Sequence, residues 1–261
     1  MLRSLSAGGL VLIGVFGGAL NSRAEPDAQK DAEEARRTLR QQGFKTDLSD
    51  FDFSTDHETA LRAAALTNIT HIRPTVLLQP CGTECAIVAW KEGNFEEQEE
   101  GYQNLPPVEQ VLATNQAKLD SACVAALAGP IHVPLTAKHG SSMLLVHLAP
   151  LKNLSEVLAA RMIYELKGKR YSAAWTNLLA LTRLATAWEP EPSEVSHLVR
   201  FNLARTAWKA AWQALQAHNW TEEQLTALQR EWQAADFFRG VPETAAFMRA
   251  NTGDSFNFIR I

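Results

Sequence analysis

The side chains of this 261-residue chain that could do chemistry are seven histidines, three cysteines and two acidic runs. The histidines stand at positions 57, 71, 132, 139, 147, 197 and 218. A zinc hydrolase needs two of them on one helix face, as H-E-x-x-H, and that motif does not occur. A serine nucleophile elbow, G-x-S-x-G, and a phosphate loop, G-x-x-x-x-G-K-[ST], do not occur either. His132, His139 and His147 fall in one segment. They would form an acid–base centre only if the fold brought two of them to a carboxylate; solvent-facing or capping roles are the plainer expectation. Glu194 and His197, three residues apart on a helix, can pair at the surface for a few tenths of a kcal/mol.

Cys81 and Cys85 are close enough in sequence for a local disulfide in an oxidising compartment, with two unbonded thiols as the alternative. Their spacing is not the redox C-x-x-C, and a structural zinc site would need four ligands. Cys123 lies on the apolar stripe Val108, Val111, Leu112, Leu119, Ala122 and Ala126, where a thiol behaves as a small buried hydrophobe. Asp47–Phe53 is acidic but lacks the glycine and closing glutamate of an EF-hand; Leu48, Phe51 and Phe53 are expected to plug into the helical core. Glu92, Glu96, Glu97, Glu99 and Glu100 read as a solvated loop. The balance leans away from an enzyme, and no catalytic, cofactor-binding or metal-binding residue is assigned.

The elements that would position any site are helices. Residues 153–236 hold six of the seven tryptophans and read as four amphipathic helices. The first opens at Asn153, with Glu156 placed to close a capping box, and ends at Gly168. The second runs from about Ser172 to Trp188 and is apolar on more than one face, as an inner helix would be. Glu189-Pro-Glu-Pro192 breaks it, because proline cannot continue the ladder. The third starts near Ser193 and runs to about His218, roughly 36 Å at 1.5 Å per residue. Its stripe reads Val195, Leu198, Val199, Leu203, Ala207, Ala211 and Leu215, with Trp208 and Trp212 on a neighbouring strip. Thr221-Glu-Glu-Gln224 is a capping box opening a fourth, narrower helix. Short gaps favour antiparallel neighbours.

Before these, Pro26–Gln42 is a charged helix closed by Gly43, Thr55–Leu66 is a short helix, and Val108–Leu127 is one periodic helix. Ile131–Leu135 is extended, and Ser142–His147 returns to helix. A last helix starts at Val241. The chain is apolar up to its end, Phe247, Phe256, Phe258 and Ile259 among the residues, which fits either a tail that docks on the core or a truncated chain.

Within residues 161–194, Tyr164, Gly168, Tyr171, Ala180, Leu184, Ala187 and Pro192 resemble a degenerate tetratricopeptide hairpin. Lys167 departs from the pattern where a leucine is usual, and no second copy follows. The run from the Val108–Leu127 helix through Pro130–Leu135 to Leu148-Ala-Pro-Leu-Lys-Asn-Leu154 resembles a set of uncharacterised exported helical bacterial proteins. That resemblance implies a helical fold and no activity.

Residues 1–24 pair Arg3 with an apolar run, Leu5–Leu20, and small residues at Ser22 and Ala24. This is the pattern of a cleaved export signal, with an uncleaved membrane anchor as the alternative. A net charge of −4 and the absence of basic runs argue against nucleic acid as partner.

The sequence therefore predicts an all-α fold of antiparallel hairpins, stacked in a tetratricopeptide-like, solenoid-like or bundle arrangement, with a loop-rich N-terminal half. Residues 1–24 would be the leader, 25–43 a lead-in helix, and 44–261 a helical domain with its core at 105–237. The expected protein is exported, periplasmic or secreted, and non-catalytic. It binds a protein or peptide through Arg161, Tyr164, Tyr171 and Trp175, since arginine and aromatics dominate interface energies. The alternatives are an enzyme whose site is assembled from distant residues, and a structural envelope protein anchored in the membrane by residues 1–24. No cofactor is expected, and any membrane contact would run through residues 1–24.

Overall fold

The computed structural model describes residues 25–69 and 105–259. The leader, the Cys81–Cys85 pair and the acidic loop at 92–100 lie outside the described residues, as do the side chains of Phe256 and Phe258. The described chain is all-helical. It divides into two compact units, one ending at Phe44 and one beginning at Lys45.

The first unit contains α1, Glu25–Gln41. Gly43 closes it at φ 84°, and the amide of Phe44 turns back to the carbonyl of Leu39 at 3.0 Å. A left-handed residue after a helix recovers carbonyls that would otherwise lack donors.

The second unit holds α2 (His57–Thr67), α3 (Leu105–Thr114), α4 (Gln116–Ala128), α5 (Leu148–Lys167), α6 (Tyr171–Thr186), α7 (Glu194–Leu215), α8 (Glu222–Ala234) and α9 (Val241–Ile259). Two short 3-10 turns, Leu48–Asp50 and Ala137–Ser142, complete it. α6 is the inner helix: it touches α4, α5, α7 and α8. Its two-sided apolar sequence is the reason, since Leu178, Leu181 and Leu184 are all buried with Ala174 and Ala180. α8 is an outer helix that buries Leu228, and its Thr221–Gln224 capping box forms as the sequence requires.

Four boundaries differ from expectation. α5 begins at Leu148 rather than Asn153, because Pro150 falls in the first turn, where its missing N–H costs nothing. Asn153 is then no cap; its side-chain amide donates to the carbonyl of Ile69 at 2.7 Å. The 108–127 helix is two helices, broken at Asn115, whose side chain bonds the carbonyl of Val111 at 2.8 Å and so competes with the backbone. Residues 143–147 are not helical. α6 ends at Thr186, and Trp188 lies past it.

Leu48, Phe51 and Phe53 do not enter the main core. Phe51 and Phe53 form a second, smaller core with Ala137, Phe247 and Ala250, and Leu48 packs partly buried against it. The rings of Phe51 and Phe247 meet edge-on at 5.2 Å, within the range such pairs prefer. α9 thus docks back on the chain through Phe247, as its apolar sequence suggested.

Candidate functional site

Three features involve the segment between α6 and α7 and the helix that follows it. The segment is held by Ile131, which forms a single parallel bridge with Trp188. The amide of Ile131 donates to the carbonyl of Ala187, and the amide of Glu189 donates to the carbonyl of Ile131, both at 2.8 Å. Pro190 and Pro192 prevent the segment from joining either helix.

The first feature is a buried polar hub. The carboxylate of Glu191 is almost wholly enclosed. It accepts from the indole N–H of Trp188 at 3.0 Å and from the hydroxyl of Ser196 at 2.5 Å. The Nε2 atom of His147 lies 2.9 Å away. Its own carbonyl accepts from the hydroxyl of Thr244 at 3.2 Å, and Thr244 Oγ1 lies 3.0 Å from Nε2 of His197. The carboxylate of Glu191 therefore ties the start of α5, the 188–191 turn and the first turn of α7 together, and its backbone carbonyl adds α9. A buried carboxylate is tolerated only when hydrogen-bonded on this scale. Burial holds the imidazole of His197 below its ordinary pKa, and the nearby Arg200 adds to that.

The second is a cleft of about 230 Å³. Its charged lining is Arg183, Arg200, Arg239, Glu189 and Asp236, and Trp188 forms part of the wall. Arg183 is fully engaged: it donates to the carbonyls of Ala126 and Gly129 and to Glu231 at 2.7 Å. Arg239 pairs with Glu189 at 3.3 Å. Arg200 is only 5% exposed. It donates to the carbonyls of Ala185 at 3.0 Å and Asp236 at 3.2 Å, and its guanidinium lies 5.0 Å from the ring centre of Phe237. Burial lowers its pKa, against the opposing fields of Asp236 and Glu189.

The third is the outward face of α7. The helix turns Leu203, Ala207, Ala210, Ala211 and Ala214 inward. Leu198, Phe201, Trp208, Trp212 and Leu215 are exposed, Leu198 at 68% and Trp208 at 66%. This corrects the expected stripe: Val195, Leu198 and Leu215 face out, while alanines supply most of the buried apolar face. Small side chains let α7 approach its neighbours closely, and two tryptophans there would not fit a close-packed interior. Trp208 meets Trp232 of α8 edge-on at 5.9 Å. Phe201 stacks on Phe237 at 5.9 Å and touches Phe238, itself 72% exposed.

The four residues expected to bind a partner are half-buried and engaged within the chain. Arg161 reaches Asp120 on α4 at 2.5 Å. The hydroxyl of Tyr164 donates to Glu109 on α3 at 2.9 Å, which raises the pKa of the phenol. The guanidinium of Arg170, paired with Glu165, covers the Tyr164 ring at 4.9 Å. Tyr171 packs against the main core. Trp175 lies 6.0 Å from Trp220.

Among the histidines, His147 is buried on Glu191, His132 is half-buried and His139 is exposed. Glu194 is exposed and does not pair with His197. Cys123 is buried, as its stripe implied. Its Sγ lies 3.5 Å from the amide oxygen of Asn177, and burial pushes its thiol up to about 11. Among the described residues, no group of three His, Cys, Asp or Glu could hold a metal ion, and no helix is long and apolar enough to cross a membrane.

Glu191, Arg183 and Arg200 escaped the sequence reading. Glu191 registered only as part of a helix break. Arg200 did carry a signal: it lies three residues from Leu203 and seven from Ala207, a charge on the inward face of its helix.

Comparison of the chain with protein-family models, with curated proteins and with solved structures finds no match.

Proposed function

We propose that this protein is an exported, non-catalytic scaffold that binds an amphipathic helix of a partner protein along the outward face of α7. One observation carries the reading. Leu198, Phe201, Arg205, Trp208, Trp212 and Leu215 recur at alternating spacings of three and four, and all six are exposed. That is the seam of a helix that packs along another helix. Its composition is that of an interface centre, aromatic residues with an arginine. The exposed Arg205 has the half-buried Lys209 beside it, whose pKa is lowered by burial and then by Arg205. Two neighbouring cations on an aromatic seam fit a partner helix with carboxylates along its flanks.

In this reading the contact lies on α7 instead of around Arg161, Tyr164, Tyr171 and Trp175, which are half-buried: Arg161 and the Tyr164 hydroxyl are paired with Asp120 and Glu109, and the rings of Tyr171 and Trp175 pack within the chain. The stacked-hairpin arrangement belongs to the same proposal. It is supported by α5 touching both α6 and α7 and by α6 touching α8, the neighbour pattern of successive hairpins. Export rests on the pattern of residues 1–24.

The test is fluorescence anisotropy with a labelled helical peptide bearing leucines at heptad spacing and glutamates on its flanks. Saturable binding that falls at least tenfold in Trp208→Ser and in Arg205→Glu is the expected result. Equal binding of a lysine-flanked version, or no loss in Trp208→Ser, would refute it. Self-association abolished by Trp208→Ser would instead make a second copy of this chain the partner. A mature N-terminus at Glu25 in a soluble envelope fraction, read by mass spectrometry, tests export; an intact N-terminus in the membrane fraction would make residues 1–24 an anchor.

A further inference from the structure

Arg200 is a cation set into the interior without an anion beside it. Both of its hydrogen bonds go to neutral carbonyls and its flat face covers Phe237. Among the described residues no carboxylate oxygen lies within 4.0 Å of it, whereas the other two arginines of the cleft have Glu231 and Glu189. A buried charge without a partner is costly, and guanidinium groups in such places present a flat fork suited to a carboxylate. The cleft also holds an acid that is not in an ion pair. One oxygen of Asp236 accepts the amides of Phe238 and Arg239, both at 3.0 Å; the other has no hydrogen-bond partner among the described residues.

Of the five charged side chains that line the cleft, Arg239 pairs with Glu189 and Arg183 with Glu231, which leaves the buried Arg200 and the exposed Asp236 with no ion pair within 4.0 Å, coupled only through their fields. A simple anion would satisfy Arg200 but meet the fields of Asp236 and Glu189. A simple cation would meet the reverse. A zwitterion satisfies both poles at once. The rest of the wall includes Pro130, Ala187, Trp188, Pro190 and Ala234, which suits an apolar side chain. The volume of about 230 Å³ compares with roughly 30 Å³ for each water of the liquid. It has room for a free amino acid.

We propose that this cleft binds a small free amino acid, with its carboxylate on Arg200, its ammonium at Asp236 and an apolar side chain against Trp188 and Pro190. The site is separate from the α7 seam, so its failure would leave the partner-binding proposal untouched.

The experiment is an NMR titration of the full chain that follows the arginine Nε–H and tryptophan indole N–H signals. The probes are L-valine, 3-methylbutanoate, which lacks the amine, and isobutylamine, which lacks the carboxylate. Valine should shift the Arg200 and Trp188 signals saturably, and each one-ended analogue should bind at least about tenfold more weakly, the loss of one charge-assisted contact. Asp236→Asn keeps the oxygen that caps residues 238 and 239. It should weaken valine at least about tenfold while leaving 3-methylbutanoate no weaker. Arg200→Met should abolish the response; since Arg200 also holds two carbonyls, the comparison of ligands on the unaltered protein stands independently of that variant. No saturable response to valine, equal binding of 3-methylbutanoate, or an Asp236→Asn variant that binds valine normally would overturn the proposal.

Discussion

Replacing Glu191 by alanine should be among the most destabilising single changes in the second unit. The substitution removes the acceptor for the Trp188 indole, the Ser196 hydroxyl and Nε2 of His147, all buried. A buried donor left unpaired costs about 1–3 kcal/mol, and three lose their acceptor together. Water entering the vacated volume would offset part of this, so the net loss should be about 4 kcal/mol. Against a total of about 5–15 kcal/mol for a typical domain, that is large. Glu191→Gln keeps the shape and one acceptor oxygen but turns an amide N–H₂ toward existing donors, and should lose about 2 kcal/mol. Urea unfolding followed by tryptophan fluorescence reads both. With a slope of about 2–3 kcal/mol per molar, the alanine variant should unfold about 1.5 M earlier. A shift under about 0.4 M, or a glutamine variant worse than the alanine one, would refute the assignment of Glu191 as the hub.

Other outcomes follow from single groups. Cys123 should resist iodoacetamide at pH 8 in the folded protein and react once urea unfolds it, checked by peptide mass spectrometry. Because its folded pKa of about 11 exceeds the ordinary value of 9.0, its contribution is complete below pH 9 and lost as pH rises toward 11. The loss should be about 2–3 kcal/mol and absent in Cys123→Ala. His197 has a lowered folded pKa, so the unfolded chain takes up its proton first. Stability should fall as pH drops below about 6.5, with a shallower fall in His197→Gln when both are followed by denaturant midpoint. Gly240 sits at φ 89°, and an added Cβ would come 2.2 Å from Cβ of Pro190. Gly240→Ala should therefore cost more than about 1 kcal/mol and loosen the start of α9, seen as faster amide exchange at Thr244. Trp208→Ser should cost only about 1 kcal/mol by urea unfolding, the loss of its edge-on contact with Trp232.

The parts of this protein legible in its sequence are those decided within a few residues. Gly43 ends α1, Pro190 and Pro192 keep the turn before α7 out of helix, and Thr221 with Gln224 opens α8, because caps and breaks act over three or four positions. The two-sided apolar pattern of α6 likewise announced an inner helix, and Cys123 announced its burial through its stripe.

What only the tertiary structure decided is which surfaces meet. α7 has apolar residues all round, so its periodicity alone could not say that alanines face in and tryptophans face out; the closeness of its neighbours settled that. Leu148 could begin α5 because Pro150 fell in the first turn, which freed Asn153 to tie down Ile69. Arg200 and Glu191 carry charges that sequence reasoning sends to the surface, yet both are buried. Their partners lie on other elements: the carbonyls of Ala185 and Asp236 for the arginine, and His147, 44 residues away, for the glutamate. A pattern read along one helix registers hydrophobicity and local capping. It does not register the long-range hydrogen bonds that make burying a charge tolerable, and here those bonds exist only once α5, α6, α7 and the turn before α9 have packed.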